Sequence, residues 1–238
     1  MIDRVSRRKV LFAGAATIVP LTAAGSDGMP GGPTPADHPR AADPRLGYIF
    51  FTPAEAAFIE AACARLIPRD DLGPGAVEAA VPLFLDRQLA GDYGKGVHFY
   101  MQGPWPDAAD TQGYQNKQPP AGYYRTAIAA IDAHVGKQGN GQTFAALPPD
   151  KQDDLLKAME KGEVEIEGVN AKAFFKQLLQ NVMEGFFSDP LYGGNRDMAG
   201  WKLIGFPGAR YDYRPYVERH GEKLDLPPVS LLGGRRQS

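Results

Sequence analysis

The fold class rests on the stretch Asn170–Phe187, "NAKAFFKQLLQNVMEGFF". Phe174, Phe175, Leu178, Leu179, Val182, Met183 and Phe186 recur at spacings of three and four, which puts them on one side of an α-helix. Asn170 precedes the run, where a side-chain oxygen can accept a hydrogen bond from the free amides of a first helical turn. A large apolar side chain contributes roughly 1.5–3 kcal/mol when fully buried. This one helix is therefore expected to anchor a core.

Working outward, the same period returns. Thr52-Pro53-Ala54-Glu55 supplies a hydroxyl N-cap, a proline at the first helical position and a glutamate able to reach back to the cap. Behind it Phe58, Ile59, Ala62, Cys63, Leu66 and Ile67 form a stripe that Pro68 ends. Val77, Val81, Phe84, Leu85 and Leu89 form a second stripe, with Pro82 marking the start or a bend of the regular helix. Tyr124, Ile128, Ile131 and Val135 form a third, and Leu155, Leu156 and Met159, after Pro148-Pro149-Asp150, a short fourth. Only Glu163–Gly168, "EVEIEG", alternates like a strand, and it is too short to define a sheet. The expected fold is mainly α: a single helical domain over 48–208 with long loops rich in aromatic residues, Gly and Pro, and no internal repeat.

Two loops have no helical period. Val97–Pro120 and Phe186–Gly208 each mix aromatic residues with Gly and Pro over a length uncommon for structureless connections, which tend to be functional or disordered. Their aromatic content argues against disorder. Either the rings fold back over the helices or Trp105, Tyr114, Tyr192, Trp201 and Phe206 face a partner, since Trp, Tyr and Arg dominate protein interfaces. Residues 209–238 are expected to be an extended tail, in which Arg210–Pro228, "RYDYRPYVERHGEKLDLPP", reads as an arm lying along another surface. Asn195, Arg196, Tyr211 and Tyr213 join Trp105, Tyr192, Trp201 and Phe206 as candidate interface residues.

Near the start, "SRRKVLFAGA", Ser6–Ala15, places Arg7 and Arg8 before an apolar run that continues to Ala24. A basic beginning, an apolar stretch and the small residues Thr22-Ala23-Ala24 together form an export signal over 1–24. The paired arginines point to the twin-arginine route, although Val10 stands where that route favours Phe. The run is too short for a membrane span, which needs roughly 20 apolar residues. Residues 25–47, crowded with Pro, Gly and Asp, read as a flexible linker.

The chain has 238 residues, 43% hydrophobic and 23% charged, which suits one domain with a substantial core. A net charge of −2 with scattered Lys and Arg offers no basic surface for nucleic acid. The single cysteine, Cys63, excludes an internal disulfide framework and a thiolate cage. It is either a small core residue or a bridge to a second exported chain. There is no G-x-G-x-x-G after a strand, no phosphate loop, no H-E-x-x-H and no G-x-S-x-G. His38 lies in the linker, and His98, His134 and His220 have no ligand spacing. Asp189, Asn195 and Asp197 offer oxygens but not an EF-hand pattern. Glu163, Glu165 and Glu167 read as a solvated edge. No catalytic, cofactor-binding or metal-binding residue is assigned.

The phrases "FTPAEAAFIEAACARLIPRDDLGPGAVEAAV", "QGPWP", "GYQ", "FAALPPDKQDDLLKAMEKGE" and "FFKQLLQNVMEGFFSDPLYGGNRDMAGWKLIGFPG" resemble the small-subunit family of gluconate 2-dehydrogenase, subunit 3 or γ, from Phe51 to Gly208. The resemblance implies a non-catalytic accessory subunit that acts as chaperone and twin-arginine carrier for a catalytic chain with FAD. It also implies a partner cytochrome with haem c, and a place at the periplasmic face of the inner membrane. Asp189, Pro190, Tyr192, Gly193, Gly194, Asn195, Asp197, Gly200, Trp201, Gly205, Phe206 and Gly208 match the family phrase most closely and carry no assigned catalytic step. They read as a shaped loop. Two other classes remain open: a self-sufficient periplasmic sugar-acid oxidoreductase, and a stand-alone periplasmic binding or structural protein.

Overall fold

In the computed structural model, residues 47–105, 112–138 and 141–232 are described. The expected export signal over 1–24, with Arg7 and Arg8, and nearly all of the expected linker over 25–47 lie outside them. Among the described residues seven α-helices follow in order: α1 (Pro53–Leu66), α2 (Val81–Ala90), α3 (Asp92–Lys95), α4 (Pro120–Gln138), α5 (Pro149–Lys161), α6 (Ala171–Phe187) and α7 (Ala199–Ile204). Short 3-10 turns lie at Phe144–Ala146, Pro190–Tyr192, Arg196–Met198 and Arg214–Tyr216.

Local chemistry sets the helix ends. At α1 the Thr52 hydroxyl accepts from the Glu55 amide and the Glu55 carboxylate accepts from the Thr52 amide, a complete capping box. At α6 the Asn170 side chain accepts from the Ala173 amide at 3.0 Å. The second stripe is shorter than its spacing predicts. Ala80 adopts φ +60°, α2 begins only at Val81, and Val77 is left on the surface. The alternating "EVEIEG" is not a strand, because only an isolated bridge between Ile166 and Val169 forms there. No strand occurs among the described residues.

Helix α6 is the hub of the core, packing against α1, α2, α4 and α5. Phe174, Leu178, Val182 and Phe186 on its inner face meet Phe58, Ile59, Leu85, Tyr124, Ile131 and Phe144, all essentially without solvent contact. Tyr124 meets Phe174 edge-on at 5.3 Å, and Phe58 meets Phe144 at 4.8 Å, separations typical of favourable aromatic pairs.

Polar groups enter this core only with partners. Tyr93 and Tyr124 both donate to Asn181 Oδ1, at 2.9 and 2.8 Å, and Asn181 Nδ2 donates to Glu184. Burial is the main reason that the Tyr124 hydroxyl is pushed well above its usual range and that Tyr123 is pushed up to about 12. Cys63 is fully buried in the α1 stripe, and burial, with a smaller push from Glu60, raises its thiol far above the usual range. The core reading of Cys63 therefore fits. A thiol enclosed there cannot meet a second chain's cysteine unless α1 lifts off.

Candidate partner-binding surface

Helix α6 ends at Phe187, and its last carbonyls need partners, because the final turn of any helix has none of its own. The following loop supplies them from side chains. Asn195 Nδ2 donates to the Ser188 carbonyl at 2.8 Å and Trp201 Nε1 to the Phe187 carbonyl at 2.7 Å, while Ser188 Oγ reaches back to Gly185 O. Asn195 Oδ1 in turn accepts from the Gly200 amide at 2.8 Å. Asn195 is thus a clip between the helix end and the start of α7.

Two glycines allow this close approach. A Cβ at Gly194 would lie 2.2 Å from Gly185 O, and one at Gly200 would lie 2.1 Å from Phe186 O, distances that no side chain tolerates. The turn between them is tight. Asn195, Asp197 and Met198 all take left-handed conformations, with φ of +47°, +57° and +56°. Such conformations are unfavourable for non-glycine residues, Asn and Asp least so. They persist because the Arg196 amide donates to the Ala79 carbonyl, tying the turn to the chain beside Ala80 at the start of α2.

Asp189 fastens the other side. One carboxylate oxygen accepts from the Leu191 amide at 2.9 Å and the other from the Leu231 amide at 2.8 Å. The expected extended arm is therefore corrected. The chain leaves at Gly208 and returns at Val229, where the Ala209 amide donates to the Val229 carbonyl, the Val229 amide donates to the Pro207 carbonyl and the Arg210 guanidinium donates to the Pro227 carbonyl. Residues 210–228 form a loop with closed ends, held to the body.

The candidate interface residues divide. Asn195 is wholly buried and Trp201 is 5% exposed, so both act inside the molecule as clips for α6 and are not contact residues on the surface. Tyr192, Arg196, Phe206, Tyr211 and Tyr213 are exposed, Tyr211 completely. Phe206 leans edge-on against Trp201 at 5.2 Å, so a buried ring steadies an exposed one. Trp105 belongs to a different region, half-buried over Gly103, and Tyr114 there stacks on Phe99 at 4.8 Å. Folding back thus describes Tyr114 and Trp201, and exposure describes Tyr192 and Phe206.

Sequence reasoning passed over Ile204, Val217, Leu231 and Leu232, which are also exposed on this C-terminal third. Their only signal was large apolar residues without helical period beside Pro and Gly. Exposed apolar side chains of this kind are candidates for contact with a partner.

Among the described residues, no group of three or more His, Cys, Asp or Glu is placed to hold a metal. Asp189 is committed to backbone amides, and His98 and His220 face solvent. The strand–turn–helix unit that cradles a dinucleotide is absent among the described residues. No helix among them is long and apolar enough to cross a membrane.

The described residues form a mainly helical fold in which side-chain hydrogen bonds stitch the end of α6 to the loop that follows it. Residues 53–208 match the profile of gluconate 2-dehydrogenase subunit 3, and the chain belongs to that family. It is accordingly a subunit of a gluconate 2-dehydrogenase complex, which implies a catalytic partner. No curated protein and no solved structure gives a significant match.

Proposed function

We propose that this chain is the non-catalytic small subunit of an exported, flavin-dependent sugar or sugar-acid dehydrogenase. It acts as chaperone for the FAD-bearing catalytic chain and lends it the twin-arginine address at Arg7 and Arg8. A cytochrome partner with haem c passes electrons onward at the periplasmic face of the inner membrane, and the subunit's own membrane association is indirect, through the complex.

One observation supports the reading most directly. In a chain of this subunit family, the loop after α6 spends its buried Asn and Trp on holding itself rigid and leaves Phe206, Tyr211 and Tyr213 bare. A preordered apolar surface binds with less entropic cost than a floppy one. An obligate contact of this kind buries on the order of 2,000 Å² or more.

The test is co-expression with the candidate catalytic chain. Co-purification should yield a flavin absorption spectrum from the partner, and Arg7→Lys with Arg8→Lys should leave dehydrogenase activity in the cytoplasm. Turnover of a sugar acid with a dye acceptor by this chain alone would overturn the accessory reading.

A further inference from the structure

The segment between the linker and α1 is held in an unusual way. Three consecutive backbone amides, of Ile49, Phe50 and Phe51, donate to the carboxylate of Asp86 on α2, each at 2.9 Å. Asp86 is completely buried, and Arg87 lies 3.5 Å away while its other nitrogen donates to the Gly47 carbonyl. From α4, Arg125 donates to the Phe50 carbonyl at 2.8 Å, and its guanidinium lies 4.4 Å from the centre of the Phe50 ring. Every one of these partners lies 35 or more residues downstream. The strap therefore docks only when α2 and α4 are already assembled.

Docking is also close to all-or-none. A buried carboxylate with three charge-assisted bonds holds its donors firmly, but with the donors gone it must be rehydrated. The strap thus either lies in place with all three amides bound or leaves, opening Asp86 to water. Tyr48, Phe50 and Phe51 give the strap three aromatic residues in four positions, side chains that many endoproteases select.

We propose that the Tyr48–Phe51 strap is a folding checkpoint on the export tether: docked on Asp86 it shields the tether's junction with the body, and undocked it is a cleavage site that severs the two. The cut is ordinary hydrolysis by an aromatic-directed endoprotease. One water adds across a strap peptide bond, leaving a carboxylate on the signal piece and an amine on the body. An unfolded carrier thus loses its address, and a folded one keeps it. The export consequence rests on the function proposed above, whereas the docking does not.

Limited digestion of the full chain with chymotrypsin, read by mass spectrometry, tests the docking. Wild-type protein should be cut after the fully exposed Tyr211 well before the strap. Asp86→Asn keeps the shape but turns an NH₂ toward an amide donor, so strap cleavage should rise about tenfold or more, since such cleavage follows the open population, with the rate at Tyr211 unchanged. If that variant fails to fold, as judged by circular dichroism, Arg125→Ala decides. It removes a half-exposed side chain from the strap and should raise strap cleavage in the same sense. A wild-type strap cut as fast as Tyr211, or a strap no more labile in the folded variants, overturns the proposal. In cells, the variants should lower the periplasmic share of dehydrogenase activity and accumulate body cut at the strap. If they do not while Arg7→Lys with Arg8→Lys still blocks export, the checkpoint is wrong and the carrier reading stands. If that double variant exports normally, the carrier reading fails, and the export role of the strap falls with it.

Discussion

The helical body before Ser188 and the loop region after it are held together by different physics. In the body, Phe58, Tyr124, Phe144, Phe174 and Leu178 are buried against one another, and stability comes from apolar area spread over many contacts. After Ser188 a few directed bonds carry the architecture: Asn195 and Trp201 on the last carbonyls of α6, Asp189 on two distant amides, and glycines where backbones nearly touch. A region stitched by polar clips does not need to bury its rings, which leaves Phe206, Tyr211 and Tyr213 on the surface. The contrast teaches that a loop region can be fixed in place without being part of a hydrophobic core.

The largest effect should come from the body. Phe174→Ala removes a fully buried ring at the centre of α6 and should lower unfolding stability by about 3–5 kcal/mol in urea titration. A loss well under that range would mean that the core is not centred on α6. Next, Asn195→Ala leaves the Ser188 carbonyl and the Gly200 amide without their partner, and each buried unsatisfied group costs roughly 1–3 kcal/mol. The characteristic result is faster amide exchange confined to residues 188–208, with α1 and α4 unaffected. Uniform exchange along the chain would erase the distinction between the two regions.

A third expectation concerns pH and sharpens the description of the body. The hydroxyls of Tyr123 and Tyr124 are raised in the folded chain, mainly by burial, above an unfolded value near 10. Their contribution to stability is then fully present below about pH 10 and lost as pH rises from there, through about 12 for Tyr123. Tyr124→Phe should flatten that alkaline decline in melting experiments, and an unchanged slope would contradict a buried neutral hydroxyl.

The smallest effect on stability should be the most informative about the loop region. Tyr211→Ala removes a side chain that is wholly in solvent, so unfolding should shift by less than about 0.5 kcal/mol. Binding to the catalytic chain, measured by co-purification or calorimetry, should weaken by about 2 kcal/mol if Tyr211 is a central contact. Full retention of affinity in a triple Phe206, Tyr211 and Tyr213 to Ala variant would move the interface to another face.

Helices α1, α4, α5 and α6 were legible in the amino-acid sequence because their signals are local. Periodicity is a property of neighbouring residues, and Thr52, Glu55 and Asn170 cap helices only a few positions away. The loop motif around Asn195 and Trp201 was recognisable as shaped, and its family followed from the same residues. What those residues do was not legible. Trp and Asn read equally well as contact residues or as internal donors, and only the position of the α6 carbonyls decided for the latter. In the same way Val77 fell outside its stripe because Ala80 turns left-handed, and the tail turned back because Asp189 accepts an amide more than forty residues on. Sequence by itself determined which segments coil, since coiling is set within a few residues. Tertiary structure decided which polar atoms find partners and which rings remain bare, since that depends on atoms brought together from distant parts of the chain.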